Sequence, residues 1–571
     1  MEKIRDIFIN NKTILVNLTN YDSDNQFEII ESNEFNIILE SFWDSNESQN
    51  NGYVTNLKEV FRNPSELLIL LKYLVDNKFD NLIMKKNEFD YLVEHRKTIY
   101  MFVEKLFDYW RSFERYGIFV RDKMNVLLDN SVLVEKTNTF TQKILKLYRR
   151  LLSNISGKPI YVYRQTPGGL NSAFIVSKGN SKLPNEYSFL DNINVINAVM
   201  IRTPFIGHSE SNSRSGLFKQ IYTNPIKNIN LTERHWLCYP IKIGKLIGYV
   251  YFHRELLHHG IALSNLFEPA FLEYNQGIKP DLIYVYGSHE IQNDKTFFID
   301  EENDMCVGYV SRINENDYFG YMKKMILTLH NARMINEEKL PIHGAMVNIV
   351  LKNKKEYNIA ITGDSGAGKS ETLEALKIIS KGIISEMNII FDDMGIFFIK
   401  NNQIYANGTE IGAFVRLDDL DSGYAYRELD RAIYMNPERT NARVVLPVSE
   451  YDFIIKNHKV DYVFYANNYF DSKESIKYFS NINNAIKVFK EGKRKAKGTT
   501  SEKGIVKSYF ANPFGCVQLL GKTEALINKT FNNLYKNEIP VGEIYTKLAV
   551  KGKETTGIIS AAKAILMEIS N

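Results

Sequence analysis

Cysteine is scarce in this chain, and its distribution excludes two classes of protein. The three cysteines, Cys238, Cys306 and Cys516, lie far apart among 571 residues. They form no pair at metal-ligand spacing, and an odd, sparse set does not make a disulfide framework. Long apolar runs are also missing. No stretch approaches what a membrane helix needs, and the opening Met-Glu-Lys-Ile-Arg-Asp lacks the apolar segment of a signal peptide. A large excess of charge is missing too. The net charge of +4 is too small to argue for nucleic acid or an anionic membrane as partner. These absences leave an expected location in a reducing cytoplasm, with neither nucleic acid nor membrane as partner.

The hydrophobic content of 44% is enough for a sizeable core, and the length suggests two to four domains. The texture changes along the chain. Residues 1–155 read as a mostly helical N-terminal extension. Strand-like runs come first (Thr13–Asn17, Phe27–Ile30), then helical patterns over Pro64–Leu74, Leu92–Phe113 and Thr139–Asn154. No catalytic constellation is visible there, and the pattern assigns no function beyond a capping role or contact with a protein partner. Residues 156–335 read as a strand-rich lobe, with short apolar runs such as Trp236–Ile241, Leu246–Phe252 and Leu282–Val285. Residues 336–571 carry the strongest motif.

That motif is Gly363-Asp364-Ser365-Gly366-Ala367-Gly368-Lys369-Ser370, which fits G-x-x-x-x-G-K-[ST]. A strand pattern precedes it and a helical pattern, Glu371–Ile379, follows, which is the context a phosphate-binding loop needs. The glycines let the backbone turn so that its N–H groups meet phosphate oxygens. Lys369 reaches the outer phosphates, the Ser370 hydroxyl suits a bound magnesium, and the helix N-terminus adds a favourable dipole. Downstream, Asn388-Ile389-Ile390-Phe391-Asp392-Asp393 reads as an apolar strand ending in two carboxylates, placed to hold metal on the phosphates. Neighbouring strand residues face opposite ways, so the pair can serve two metals, or one metal and its support.

Other candidates are less specific. Arg214, within Ser211–Lys219, suits a carboxylate, although a solvated basic turn has the same composition. His343, at the start of a strand, is either a core histidine or a ligand. Arg416 and Arg443 each sit in a strand-like run, where arginine is costly unless paired, and each suits phosphoryl oxygens. Lys493–Lys503 reads as a mobile loop over the site or as a solvated charge run. His253, His258 and His259 match no convincing metal helix and read as structural or surface residues.

Taken together, the order Tyr318-Phe319-Gly320-Tyr321-Met322-Lys323-Lys324, His343, phosphate loop, Asp392-Asp393 resembles phosphoenolpyruvate carboxykinase, the ATP-dependent type most closely. Thr440-Asn441-Ala442-Arg443-Val444 is similar to that family's Asn-Thr-Arg-Val segment. Thr499–Ile505 followed by Asn512-Pro513-Phe514-Gly515 is similar to its Gly-Thr-Glu-Arg-Gly-Ile…Phe-Gly segment. Ser213-Arg214-Ser215 corresponds to its Gly-Arg-Ser-Pro loop, and the likeness covers roughly residues 200–571. The resemblance implies a two-lobed α/β fold with a phosphate-loop nucleotide-binding C-terminal lobe, beside the helical N-terminal extension. It implies manganese held by Lys324, His343 and Asp393, and magnesium held by Ser370 and Asp392. It further implies ATP (or GTP) on the loop, Arg214 on a substrate carboxylate, Tyr318 lining a carbon dioxide site, and Arg416 and Arg443 on the transferring phosphoryl group. The implied small-molecule reaction converts oxaloacetate to phosphoenolpyruvate.

The chain departs from that family at Tyr321 (glutamate there), at Gly344-Ala345 after the histidine (Cys-Ser there) and at Lys503 (arginine there, a fork that a lysine does not reproduce). The loop itself resembles HPr kinase/phosphorylase, as does Ile342-His343-Gly344. A phosphotransferase acting on a protein serine or small hydroxyl is therefore the second expectation, with Asp392 or Asp393 as base. A nucleotide-binding regulator without turnover is the third.

Overall fold

The computed structural model describes residues 7–10, 13–17, 28–45, 52–84, 90–118, 131–164, 171–178, 183–380, 382–417, 429–496 and 504–570. The chain divides into two compact units, Met1–Ile160 and Tyr161–Asn571. None of the described helices is long and apolar enough to cross a membrane.

The first unit is mainly helical. Its longer helices are Asn33–Asp44, Pro64–Asp76, Arg96–Ser112 and Ser131–Ser156. A small sheet joins Ile7–Asn10, Thr13–Asn17 and Glu114–Ile118. Leu67, Leu71, Leu74, Phe102, Leu151 and Ile155 meet in its core. The run Phe27–Ile30, expected as a strand, is helical over Glu28–Glu31. Four residues are too few to separate the two periodicities, and Ser32 immediately caps the next helix by accepting the Phe35 N–H.

The second unit is mixed α/β. Among its described residues, ten strands form one mixed sheet, eight form another and four form a third. At the centre of the ten-stranded sheet, Trp236–Ile243 pairs antiparallel with Leu246–His253, which runs parallel to Leu282–Ser288, itself parallel to Met305–Ser311. The elements that carry the site are, in chain order, strand β1 (Phe205–Gly207), helix α1 (Leu257–Leu266) and helix α2 (Phe319–Asn336). Next come β2 (Leu340–Leu351), β3 (Glu356–Thr362), α3 (Lys369–Ile379) and β4 (Ile384–Lys400). They are followed by β5 (Gln403–Gly408), β6 (Gly412–Arg416), β7 (Ile433–Met435) and β8 (Arg443–Pro447). The last are β9 (Tyr462–Asn467), β10 (Lys493–Lys495), β11 (Ile505–Lys507) and β12 (Val541–Tyr545).

The eight-stranded sheet runs His458–Lys459, β5, β4, β2, β3, β9, β12, Ile476–Tyr478. Helices cover both faces, which is why β2 and β3 are apolar on both sides. Ala345, Val347 and Ile349 pack with Leu373 and Leu376 of α3 and with Ala562 and Ile565 of the C-terminal helix Glu554–Ser570. Ile342 and Met346 point the other way, to Leu526, Ile527 and Phe531 of Leu520–Lys536. The four-stranded sheet, β6-β8-β7-β1, takes β1 from before residue 210 and the rest from beyond residue 410, so it ties the early part of this unit to the late part.

Helix α2 is buried almost all round, as its run of Met322, Met325, Ile326, Leu327, Leu329 and Met334 requires. On one side a Cβ at Gly308 of Met305–Ser311 would come within 2.9 Å of Met325 Cγ. Met394 and Ile396 of β4 belong to the same core. The helix therefore lies between the two large sheets, and its first turns hold Lys323 and Lys324 against β4.

Gly344 illustrates how closely the strands approach. It pairs with Thr362 and Asp393 across the sheet, and a Cβ there would lie 2.6 Å from the Ile361 carbonyl oxygen. Gly344→Ala is expected to destabilise the second unit by about 1–3 kcal/mol, measured by urea denaturation. An unchanged midpoint would contradict this packing.

Candidate active site

The glycine-rich loop of residues 363–370 joins β3 to α3. Gly363, Gly366 and Gly368 all have positive φ (152°, 77° and 93°). Gly368 is doubly constrained, because a Cβ there would also lie 2.7 Å from Thr546 Cβ. The loop is braced from outside. Thr546 Oγ1 donates to the Ala367 carbonyl (2.7 Å) and Asn468 Nδ2 to the Gly366 carbonyl (2.8 Å). Lys369 curls back to donate to the Asp364 carbonyl at 3.1 Å. Ser370 Oγ donates to Asp392 Oδ1 at 3.0 Å. The Ser365 N–H donates to Asp364 Oδ1 (2.7 Å), and Arg494 Nε of β10 donates to Asp364 Oδ2 (2.8 Å). Burial works to raise the Asp364 pKa, yet His343 and Arg494 outweigh it and hold the carboxyl below its ordinary range.

Asp392 and Asp393 do not lie at a strand end, as the apolar run suggested. β4 continues to Lys400, and the carboxylates sit mid-strand, just after a bulge at which Met346 pairs with Phe391 and Val347 with Ile389. Asp393 has φ 129°, rare for a residue with a side chain. Backbone in such regions costs about 1–3 kcal/mol and persists only where surroundings over-determine it. The over-determination is visible here. Asp393 Oδ2 lies 2.6 Å from both Lys323 Nζ and Lys324 Nζ, and Oδ1 lies 2.8 Å from His343 Nε2. The two aspartates thus face different partners, one the loop serine, the other the lysine–histidine cluster.

Electrostatics separates the charges in this cluster. Burial works against the charged form of Asp393, but Lys323, Lys324 and His343 overcome it and hold the carboxyl well below the ordinary range. Asp392, one residue away, is pushed up by burial, with Asp393 adding to the effect. Burial lowers Lys324, Asp393 opposes this, and repulsion from Lys323 reinforces it. Lys323, 1% exposed, bridges Asp393 and Glu410 Oε1 (2.9 Å). Burial, with help from Asp393, raises Glu410 from 4.5 to about 7.

The donor set fits a cation. His343 Nδ1 donates to the Ala511 carbonyl at 2.5 Å, so a neutral imidazole turns its Nε2 lone pair toward Asp393 Oδ1. Two acceptors then face each other, an arrangement that needs a proton or a metal between them. A histidine whose second nitrogen is tied to a carbonyl is the usual form of a metal ligand. Lys324, His343 and Asp393 supply an amine, an imidazole and a carboxylate, while Ser370 and Asp392 supply oxygen alone.

The remaining expected residues reach the cluster through two phenylalanines. Arg214 lies between the rings of Phe218 (5.4 Å) and Phe514 (5.2 Å), and Lys324 Nζ lies 4.6 Å from the same Phe514 centroid. Burial lowers the Arg214 pKa, against opposing pulls from Tyr321, Tyr318 and Asp364. Phe414 is shared by Lys323 (5.8 Å), Arg443 (5.5 Å) and the ring of Tyr318 (6.0 Å). Arg416 stands directly opposite Arg443 in the β6–β8 register. Like charges paired across strands are destabilising, which suits a place where an anion binds. Arg443 Nε is buried with no hydrogen-bond acceptor among the described residues. Lys503 lies outside the described residues.

Sequence reasoning assigned no role to Lys323, Glu410, Phe414, Phe514 or Arg494. Only adjacency signalled the first, and Arg494 hid in a basic run. His258 and His259, at the start of α1, also proved distinct from His253. They meet Asp317, with His259 Nε2 at 2.7 Å and His258 Nε2 at 3.4 Å from Oδ1, while His253 packs with His235, Trp236 and His289. The three side chains His258, His259 and Asp317 are grouped closely enough to hold a metal ion. No protein-family model matches the chain, and no curated protein matches it significantly.

Glu410 yields a pH prediction. Its folded pKa lies above its unfolded one, so its contribution to stability is full below pH 4.5 and is lost as pH rises through about 7. In metal-free protein, the melting temperature of wild type minus that of Glu410→Gln is expected to fall across this window. A constant difference would contradict the assignment.

Proposed function

We propose that this chain is an ATP-dependent phosphoenolpyruvate carboxykinase, with the two-lobed fold of that family in its second unit. The observation that carries the reading is the meeting of Lys324 from α2, His343 from β2 and Asp393 from β4, one residue from the Asp392–Ser370 contact of the phosphate loop. Lys324, His343 and Asp393 would hold manganese, and Ser370 and Asp392 magnesium. When bound, the metals supply Lewis-acid stabilisation of an enolate oxygen and neutralise phosphate charge.

The residues then divide the work. Arg214 pairs with a carboxylate of oxaloacetate, held flat by its two aromatic neighbours. The C–C bond to the departing carboxylate breaks, carbon dioxide leaves beside Tyr318, and the electron pair moves to the enolate oxygen. That oxygen attacks the γ-phosphorus of ATP, the bond to the β-phosphate oxygen breaks and ADP departs. Arg416 and Arg443 offset charge on the transferring group. Lys369 and the loop amides hold the other phosphates. A lysine binds metal only as the neutral amine, and the lowered pKa of Lys324 favours that form.

A phosphotransferase of the HPr-kinase sort needs a base. Asp393, held by two lysines and a histidine, is a poor one. Asp392, with its raised pKa, is the better candidate for that second reading.

The test is a coupled assay for phosphoenolpyruvate from oxaloacetate with ATP or GTP, manganese and magnesium. Lys324→Ala and Lys369→Ala are each expected to lose activity by about 100-fold or more. Lys324→Ala keeps nucleotide binding and Lys369→Ala loses it. No turnover by wild type, with ATP still bound through Lys369, would reject the carboxykinase and turn the search to a phosphoryl acceptor.

A further inference from the structure

Arg214 sits on an irregular segment, Ser209–Gly216, that would be floppy if left to itself. Instead it is fastened on two sides. On one side is Asn436, which follows β7 and is fully buried. The Ser209 N–H donates to Asn436 Oδ1 (2.6 Å), and Asn436 Nδ2 donates back to the Ser209 carbonyl (2.9 Å). Arg439 Nη1 donates to the Ser209 and Glu210 carbonyls, both at 3.0 Å. Asn212 and Asn441 exchange side-chain bonds with the Thr440 and Asn212 carbonyls (2.8 and 2.6 Å). This side runs straight into β8 and Arg443.

On the other side is the entrance to α2. The Glu210 N–H donates to Asp317 Oδ2 and the Ser211 N–H to the Asp317 carbonyl, both at 3.0 Å. Asp317 is itself held by His259. Beyond Arg214, the Ser215 N–H donates to the hydroxyl of Tyr321 at 3.2 Å. Tyr321 is 1% exposed, and its ring packs on Phe218, the same ring that flanks Arg214. The tether therefore grips the backbone next to the arginine and one wall of its slot. Arg214 spends one donor on the Gly216 carbonyl (2.5 Å). Among the described residues its other N–H groups meet no acceptor, which leaves them for a ligand in the slot.

We propose that Tyr321 is a positioning residue for a small carboxylate ligand, acting through Arg214. Its hydroxyl holds the Ser215 amide, and with it the guanidinium, at the fixed angle that a planar two-point contact with a carboxylate needs. The substitution of tyrosine at this position thus has a task of its own. The proposal rests on the carboxykinase reading for the identity of the ligand's place, but its test does not require turnover.

The experiment is a double-mutant cycle on the full-length, manganese-loaded protein, using oxalate as the probe and calorimetry as the readout. Tyr321→Phe removes only the hydroxyl. It is expected to weaken oxalate about fivefold, the size of one hydrogen bond, with ATP affinity unchanged within twofold. In the Arg214→Ala background, the same change is expected to have no further effect. A Tyr321→Phe protein with unaltered oxalate affinity, while Arg214→Ala weakens it, would overturn the positioning role and leave the carboxylate site standing. Equal losses in both backgrounds would also overturn it, since the hydroxyl would not then act through Arg214. An Arg214→Ala protein that binds oxalate as wild type does would reject both the proposal and the placement of the carboxylate.

Discussion

The site depends on one carboxylate. Asp393 is a half-buried strand residue at φ 129° and receives Lys323, Lys324 and His343. Neither the strained backbone nor the two adjacent lysines, Lys323 buried and Lys324 half-buried, would persist alone. An isolated buried charge is expensive, and removing one partner of a buried pair leaves the other uncompensated. Cations in the first turns of a helix also oppose its dipole, and α2 carries two. Each of these costs is offset by the others only while Asp393 keeps its place.

The same logic extends outward in alternating charge. Glu410 backs Lys323, and Arg494 backs Asp364, which lies near His343. The glycine-rich loop is thereby linked to the lysine–histidine cluster through side chains as well as through β2 and β3. Raised Glu410 and Asp392 beside a depressed Asp393 show how one environment separates neighbouring carboxyls. Sites that do acid–base or metal chemistry have this signature. The aromatic rings of Phe414 and Phe514 then bring arginines to the edge of the cluster without neutralising them, since a ring attracts a cation but takes no proton and forms no ion pair.

Much of the site was legible because its residues occur in short motifs whose chemistry demands a spacing. Gly363 to Ser370 had to be a turn followed by a helix, and β3 and α3 flank it as the pattern required. The strands Thr13–Asn17 and Gly412–Arg416 were equally plain. Elsewhere, local pattern was insufficient. Glu28–Glu31 is helical because its neighbours make it so, and β4 runs past Asp393 because β2 and β5 pair with its second half.

By itself, the sequence determined the glycine-rich turn at residues 363–370 with its flanking strand and helix, the alternation of apolar strands and helices, and the identity of the titratable groups near that turn. These follow from steric and hydrogen-bonding rules that act over a few residues. Only the tertiary structure decided which groups meet. Lys324 and Asp393 are separated by 69 residues, His343 and Ala511 by 168, and Ser209 and Asn436 by 227. Such contacts are set by how two sheets close on α2, through burial summed over the whole core. The perturbed pKa values follow from that closure, because desolvation and charge pairing exist only once the chain has brought distant residues out of water together.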